Sequence, residues 1–162
     1  KTAQDHEAPI RLIETIVGIN DTRKRAMARK VERAVGGNLL GKRIGILGLT
    51  FKPDTDDIRE SPALSIIQAL LDKGATLKAY DPEGMPAARS IMPELTYCDT
   101  VEEAASGTDA LVIITEWAEF RNLDLPRLKE IMQQPVIVDL RNLYLPSEVE
   151  RLGFTYQSIG RA

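Results

Sequence analysis

The chain has 162 residues, about the length of one domain and at most two small ones. Its residues are 43% hydrophobic and 28% charged, which is typical of a soluble globular protein. With 21 basic and 24 acidic residues, the formal net charge of −3 provides no overall positive field and argues against nucleic-acid binding. The single cysteine, Cys98, excludes an internal disulfide framework, and the single histidine, His6, leaves little of the usual catalytic equipment.

The sequence also argues against a membrane protein. No apolar run approaches the roughly 18 residues that span a bilayer, and the polar amino terminus has no signal-peptide hydrophobic stretch. We therefore expect a reducing, cytoplasmic setting. Because the sequence begins at Lys1 rather than at a methionine, we expect it to be a piece of a longer protein.

Residues 1–40 are predicted to be a long helical segment. Apolar residues recur there at spacings of three and four, and Gly36 and Gly37 form a natural helix end. Residues 23–33 hold six basic residues and one acidic residue. That cluster is either a solvated helix face, with cations near the carboxyl end, or a surface that faces a partner or an anion.

A boundary is predicted near Gly41. Residues 1–40 carry eight basic and five acidic residues, whereas residues 41–162 carry 13 and 19, so the net charge changes from +3 to −6. Strands and helices alternate after this point, which predicts an open parallel α/β sheet with flanking helices, a Rossmann-like fold. The predicted strands lie at 43–47, 76–80, 95–97, 110–114, 135–138 and 154–159, and the predicted helices at 62–73, 101–105, 125–133 and 147–152.

The helix predicted over residues 62–73 has clear signals at both ends. Ser61 is a good N-cap, Pro62 suits the first helical position, and Gly74 ends the pattern. The residues expected to face inward are Leu64, Ile67, Leu70 and Leu71.

Ligands in such sheets bind beyond the carboxyl ends of the strands, where the strand order reverses. If the order is 3-2-1-4-5-6, the loop at 48–60 follows a strand at this point. The loop lacks a G-x-G-x-x-G dinucleotide fingerprint but contains Phe51, Lys52 and Arg59. Either the two cations contact an anionic ligand, with Phe51 packing beside it, or they pair with the acidic residues of the loop.

Two further loops should share this edge. Trp117 follows the most apolar strand and is either a lid on the core or a wall of the cleft. Arg141 follows the next strand and either contacts an anion or pairs with Asp139. Because Lys52 and Arg141 would flank the point of reversal, the sequence predicts a phosphorylated ligand.

The remaining candidates are interpreted as structural. Cys98 has no base or cationic setting nearby that would form a thiolate, so we expect a packing role. His6 is isolated, and Asp81 with Pro82 is interpreted as a turn, since the glycine fingerprint of a ribose-binding acid is missing. We therefore predict neither a catalytic residue nor a metal site within this chain.

Several segments resemble the carboxyl-terminal domain of the UDP-glucose/GDP-mannose dehydrogenase family. They are GLTFKPDTDDIRESP at 48–62, YDP at 80–82, TEWAEF at 115–120 and DLRN at 139–142. The segment VGINDTRK at 17–24 is similar to the long helix that joins the two domains of the family and builds its dimer. The resemblance covers nearly the whole chain.

The resemblance implies a role for each matching residue. Phe51 and Lys52 match contacts to the nucleotide sugar, Arg141 matches a second such contact, and Arg59 matches an arginine that reaches NAD across the domain cleft. The family oxidises a nucleotide sugar to its uronate with two NAD⁺, in support of polysaccharide biosynthesis. Its NAD domain and its nucleophilic cysteine motif have no counterpart here, and Cys98 does not match that motif.

Three interpretations follow from the resemblance. The expected one is a fragment of a UDP-glucose-oxidising enzyme that is inactive alone, binds the nucleotide sugar and forms a homodimer through its amino-terminal helix. An alternative is a fragment of a UDP-N-acetylmannosamine or GDP-mannose dehydrogenase. A further alternative is a non-enzymatic nucleotide-binding or dimerisation module. The expected organisation is a linker and dimerisation region at 1–40 and a UDP-binding domain at 41–162.

Overall fold

The structure is a computed structural model that describes residue 22 and residues 26–160. Most of the predicted linker helix, including its apolar positions between residues 10 and 17, lies outside the described residues. The described helices are α1 (26–34), α2 (Pro62–Asp72), α3 (Met85–Ile91), α4 (Val101–Ala105), α5 (Leu125–Ile131) and α6 (Pro146–Arg151), with a 3₁₀ helix at Ala118–Asn122. The strands are β1 (Arg43–Leu47), β2 (Thr76–Tyr80), β3 (Thr96–Tyr97), β4 (Ala110–Ile113), β5 (Val136–Asp139) and β6 (Thr155–Ser158).

The six strands form one parallel sheet in the order β3-β2-β1-β4-β5-β6. Ile46 of β1 stands opposite Ala79 of β2 on one side and Val112 of β4 on the other. The strand order therefore reverses between β1 and β4. This confirms the predicted open parallel α/β fold, because each parallel crossover requires a helix between consecutive strands.

Alternation along the central strands divides the apolar residues between two layers. Ile44 and Ile46 of β1 belong to one core cluster, which α1, α2 and α3 cover, whereas Leu47 belongs to a second, which α4, α5 and α6 cover. Neighbouring strand residues point to opposite faces, so both faces of the sheet are dry. This explains why the central strands are apolar almost throughout.

Helix α1 packs on the sheet rather than projecting from it. Val31 is fully buried and Val35 is 7% exposed, both in the same cluster as Ile44. Lys30 donates from Nζ to the carbonyl of Ser158 in β6. Residues 26–35 thus contribute to the core of the sheet, while the domain boundary near Gly41 stays a prediction.

The ends of α2 are as predicted, but its buried face is shifted. The Ser61 hydroxyl accepts a hydrogen bond from Ala63 N at 3.2 Å, as an N-cap does. Ala63 and Ile66 are buried, together with the expected Ile67 and Leu70. Leu64 and Leu71, expected to face inward, are only partly buried at the edge of the core. Helices on both sides of a sheet meet other helices as well as strands, which broadens the apolar face.

Helix α3 and the 3₁₀ helix were not predicted. Of the seven residues of α3, Met85–Ile91, only Ala88 is buried, so the segment has no apolar period that a sequence pattern could show. The 3₁₀ helix Ala118–Asn122 buries only Phe120. None of the helices in the described part of the chain combines the length and apolar character that crossing a bilayer requires.

Candidate functional site at the carboxyl edge of the sheet

The loops after β1 and β4 are locked together at the point where the strand order reverses. Gly48 has a φ of 94°, and a Cβ at this position would lie 2.5 Å from the Cβ of Thr115. Only glycine allows this approach. Thr115 in turn donates from its hydroxyl to the carbonyl of Thr50 at 2.8 Å. The backbone leading to Phe51 and Lys52 is thereby held against the end of β4.

Asp81, at the carboxyl end of β2, organises the same loop. It is fully buried, and its Oδ2 accepts hydrogen bonds from the backbone N–H groups of Leu49 at 2.6 Å and Thr50 at 3.1 Å. Its Oδ1 accepts from Glu83 N at 3.0 Å and Gly84 N at 2.7 Å. The second pair is the expected turn, whereas the contacts to the β1 loop were not predicted.

Trp117 completes the surroundings of Asp81. Its indole Nε1 donates to Oδ2 of Asp81 at 3.1 Å, and the side chain is 7% exposed within the second core cluster. Of the two interpretations offered for Trp117, the lid on the core is confirmed. The residue nevertheless links the loop after β4 to the loop after β1.

Phe51 and Lys52 stand on the exposed part of the β1 loop. Phe51 is 52% exposed, and its backbone N–H donates to the carbonyl of Asp57 at 2.9 Å, which closes the loop. Lys52 is exposed and forms no ion pair with any other described residue. The structure therefore gives no support to the alternative in which Lys52 pairs with the acidic residues of its own loop.

Arg59, by contrast, is paired within the loop. Its Nε and one terminal nitrogen donate to the two carboxylate oxygens of Asp57, each at 2.9 Å. The hydrogen bond from Arg59 lowers the pKa of Asp57 to about 2, and the same contact raises the pKa of Arg59. Both groups are exposed to solvent, so the pair orders the loop more than it stabilises the fold.

Arg141 is held by an acid that the sequence interpretation did not consider. Its Nε donates to the carboxylate of Glu116, on the neighbouring loop after β4. Burial raises the pKa of Glu116, but the hydrogen bond and the positive charge of Arg141 outweigh it, so the pKa lies below its usual range. The terminal nitrogens of Arg141 have no hydrogen-bond partner among the described residues.

The alternative in which the side chain of Arg141 pairs with Asp139 is wrong. Asp139 is fully buried and accepts hydrogen bonds from the backbone N–H groups of Arg141 at 2.9 Å and Leu143 at 2.7 Å, and from the hydroxyl of Tyr156 at 2.7 Å. The carboxylate is saturated by the backbone that carries Arg141. Its guanidinium is therefore directed to Glu116 instead.

The remaining titratable groups of the described residues offer no activated nucleophile. Cys98 is 6% exposed, and burial raises the pKa of its thiol more than the nearby Lys78 lowers it. Within the described ranges, no group of three histidine, cysteine or acidic side chains is placed to hold a metal ion.

Sequence reasoning missed three acids that organise the site: Asp81, Asp139 and Glu116. A signal was present for two of them, because an aspartate directly at the end of a buried parallel strand lies where loop N–H groups need an acceptor. Glu116 gave no such signal, since its partner lies 25 residues away in the chain.

The dinucleotide site of a Rossmann fold is not reproduced here. Such a site uses a glycine-rich first loop and an acid after the second strand that accepts from a ribose hydroxyl. Asp81 occupies the place of that acid, but donors from Leu49, Thr50, Glu83 and Gly84 already occupy both of its oxygens. The residues of this sheet therefore do not fit NAD in the usual way.

The strand order, with Lys52 on the loop after β1 and Arg141 on the loop after β5, defines a Rossmann-like domain without the glycine-rich dinucleotide loop. Residues 45–146 match the family described as "UDP-glucose/GDP-mannose dehydrogenase family, UDP binding domain". The chain belongs to this family, which confirms the resemblance noted from its loop segments.

Individual relatives agree with the family assignment. The chain is 58% identical over 161 residues to a UDP-glucose 6-dehydrogenase of Rhizobium meliloti, covering 99% of this chain and 37% of that protein. It is 41% identical over 154 residues to UDP-glucose 6-dehydrogenase TuaD of Bacillus subtilis, covering 94% and 33%. A solved UDP-glucose dehydrogenase from Pyrobaculum islandicum has a TM-score of 0.76 at 29% identity, covering 92% of this chain and 32% of that chain. The chain thus spans about a third of the length of these relatives.

Proposed function

We propose that this chain is the nucleotide-sugar-binding part of an NAD-dependent UDP-glucose 6-dehydrogenase, which oxidises UDP-glucose to UDP-glucuronate. The family membership and the names of the relatives support this assignment. UDP-glucuronate is a precursor for polysaccharide biosynthesis, and the single, buried Cys98 is compatible with the reducing cytoplasm.

One observation carries the proposed binding role. Lys52 and Arg141 follow β1 and β5, the two strands that flank β4, and neither cation is neutralised in a way that closes it to a ligand. Lys52 has no ion pair among the described residues, and Arg141 is oriented through Nε alone. A diphosphate carries the charge and the acceptor oxygens that such a pair of donors recognises. Phe51, exposed beside Lys52, supplies an apolar surface for the base or the sugar.

The oxidation itself is assigned to the remainder of the longer protein. Cys98 is buried in the core and cannot reach a sugar hydroxyl, and the sheet lacks the features that hold NAD. Arg59 is the residue proposed to contact NAD from this side, with the terminal nitrogen that Asp57 leaves unused. We therefore expect no NADH formation when the 162-residue chain alone is mixed with NAD⁺ and UDP-glucose. Measurable turnover would contradict the assignment of the oxidation to the rest of the protein.

Calorimetric titration of the chain tests the binding role and the choice of nucleotide. UDP, UDP-glucose, GDP and GDP-mannose should be titrated under the same conditions, with UDP-N-acetylglucosamine included as a bulkier UDP sugar. Heat of binding with UDP and UDP-glucose, and none with the guanine nucleotides, is expected. Preferential binding of GDP-mannose would favour the alternative substrate class, and binding of no nucleotide would remove the proposed role of this chain.

The proposed homodimer depends on the amino-terminal helix. The apolar positions from residue 10 to residue 19 lie outside the described residues, whereas Val31 and Val35 pack in the core of this chain. The support for the dimer therefore comes from the spacing of the former and from the family resemblance. Sedimentation equilibrium is expected to give a dimer that a chain beginning at residue 26 does not form. If the 162-residue chain sediments as a monomer at high concentration, the proposal is wrong.

A further inference from the structure

A single buried carboxylate contacts the loop after β1, which carries Lys52, and the loop after β4, whose Glu116 binds Arg141. Oδ2 of Asp81 accepts from the backbone of Leu49 and Thr50, directly before Phe51 and Lys52. The same oxygen accepts from the indole of Trp117 at 3.1 Å. Asp81 itself is fully buried and therefore does not reach a ligand in solvent.

Trp117 also links Asp81 to Arg141, through the residue that precedes it in the chain. The residue before Trp117 is Glu116, and its carboxylate accepts from Nε of Arg141. Thr115, one residue earlier, donates to the carbonyl of Thr50 at 2.8 Å. The segment 115–117 therefore connects the loop of Lys52 to the side chain of Arg141. Asp81 contacts the loop of Lys52 and Trp117 of this segment.

We propose that Asp81 is a positioning residue of the nucleotide-sugar site, which sets the placement of Lys52 relative to Arg141. This inference rests on the proposed function and adds to it a residue that does not touch the ligand. Two-point binding of a diphosphate depends on the distance between the two cations of the site. An acceptor that bonds both to the loop of Lys52 and to the segment bound to Arg141 therefore controls affinity without touching the ligand.

The chemistry of the Asp81 contacts makes Asp81→Asn an informative change. All six of the described groups that hydrogen-bond to its two oxygens are donors: Leu49 N, Thr50 N, Thr50 Oγ1, Trp117 Nε1, Glu83 N and Gly84 N. An asparagine has the same shape, but its NH₂ group would face donors at whichever oxygen it replaced. The substitution therefore releases one set of contacts and removes the charge that strengthens the hydrogen bonds of the other, without creating a cavity.

Asp109 provides a matched control. It is another aspartate of the sheet, 8% exposed, but it lies before β4 at the opposite, amino edge. Its carboxylate accepts from Arg43 N at 2.9 Å and from Lys42 Nζ at 3.5 Å. Asp109→Asn therefore removes a comparable acceptor from the same sheet without touching the carboxyl-edge loops.

The experiment compares UDP affinity in the wild-type chain, Asp81→Asn and Asp109→Asn, at a temperature where circular dichroism shows all three folded. Asp81→Asn is expected to weaken UDP binding by about tenfold or more, and Asp109→Asn to leave it within about twofold. In a Lys52→Ala background, Asp81→Asn should cause a much smaller further loss, because its effect passes through Lys52. Equal losses in both aspartate variants, or fully additive losses with Lys52→Ala, would overturn the proposal.

Amide hydrogen exchange separates this inference from the proposed function. Asp81→Asn should accelerate exchange at Leu49 and Thr50 and along the loop to Asp57, whereas Asp109→Asn should not. The emission of Trp117, the single tryptophan of the chain, should also shift in Asp81→Asn alone. If the wild-type chain fails to bind UDP, the proposed function is wrong. If exchange of the loop is unchanged in Asp81→Asn, the positioning role is wrong, whatever the nucleotide result.

Discussion

Arg141 and Glu116 form an ion pair between the loops after β5 and β4, with Nε of the guanidinium donating to the carboxylate. The contact uses one edge of the arginine and orients the remainder of the group. An arginine held in this way loses less conformational entropy when it binds an anion than a free one does. We therefore expect the pair to prepare Arg141 for its proposed ligand contact instead of blocking it.

Removal of either proposed phosphate contact should weaken nucleotide binding. Lys52→Ala and Arg141→Ala are each expected to cost about 1.5–3 kcal/mol, which is roughly 10- to 150-fold in Kd for UDP. Calorimetry measures the change directly. Lys73→Ala is the control, because Lys73 pairs with Glu32 and lies just before β2, at the amino edge of the sheet. Wild-type affinity in both site variants would exclude the proposed cleft.

The Glu116–Arg141 pair should make stability depend on pH in a defined direction. The pKa of Glu116 in the folded chain lies below its ordinary value of 4.5, so the folded state binds the proton less readily than the unfolded state. The stabilisation is therefore complete above the ordinary pKa and is lost as the pH falls through the folded value. Urea unfolding of the wild-type chain and Glu116→Gln should show a stability difference near pH 7 that shrinks below about pH 4.

A stability difference between these two proteins that stayed constant across this range would show that the pair contributes nothing through its charge. Because both side chains are about one-third exposed, we expect the difference to be modest and to decrease with added salt. Glu148→Gln is the matched control, because Glu148 is an exposed acid of helix α6 that has no ion pair with another described residue.

Cys98 should react slowly while the chain is folded. Burial raises the pKa of its thiol, and the side chain is 6% exposed, so both the thiolate fraction and access to reagents are low. Modification by a disulfide reagent is expected to be slow in buffer and fast in denaturant, with one thiol released in each case. Rapid reaction of the native chain would contradict the packing role.

Gly48→Ala should destabilise the fold and disturb the site together. The added methyl would lie 2.5 Å from the Cβ of Thr115, at a φ of 94° that alanine rarely adopts. Gly37→Ala separates the two causes, because Gly37 has a φ of 88° but no atom within 4 Å of a Cβ. The clash at Gly48 should add about 1–3 kcal/mol to the loss seen at Gly37, measured by urea unfolding. Equal losses would mean that Thr115 moves aside freely.

The sheet could be predicted because its signals are local. β1, β2 and α4 were predicted with their observed bounds, and the Ser61 cap occurs where expected, since caps and apolar strands depend on neighbouring residues. The bounds of the other predicted elements differ by one or two residues at their ends, where a helix or strand frays. Helix α3 has too few buried residues to carry a period, so it was missed.

The sequence by itself determined an open parallel α/β sheet, because alternating strands and helices joined by right-handed crossovers leave few arrangements. The strand order that it could only assume is the observed one. The sequence also identified Lys52 and Arg141 from their positions after strands. Only the tertiary structure decided which acid each cation meets, pairing Arg141 with Glu116 and Arg59 with Asp57 while Lys52 has no ionic partner among the described residues. It also showed that Asp81 contacts the loops after β1 and β4. Contacts between side chains distant along the chain depend on distances of a few ångströms, and no spacing in the sequence encodes those distances.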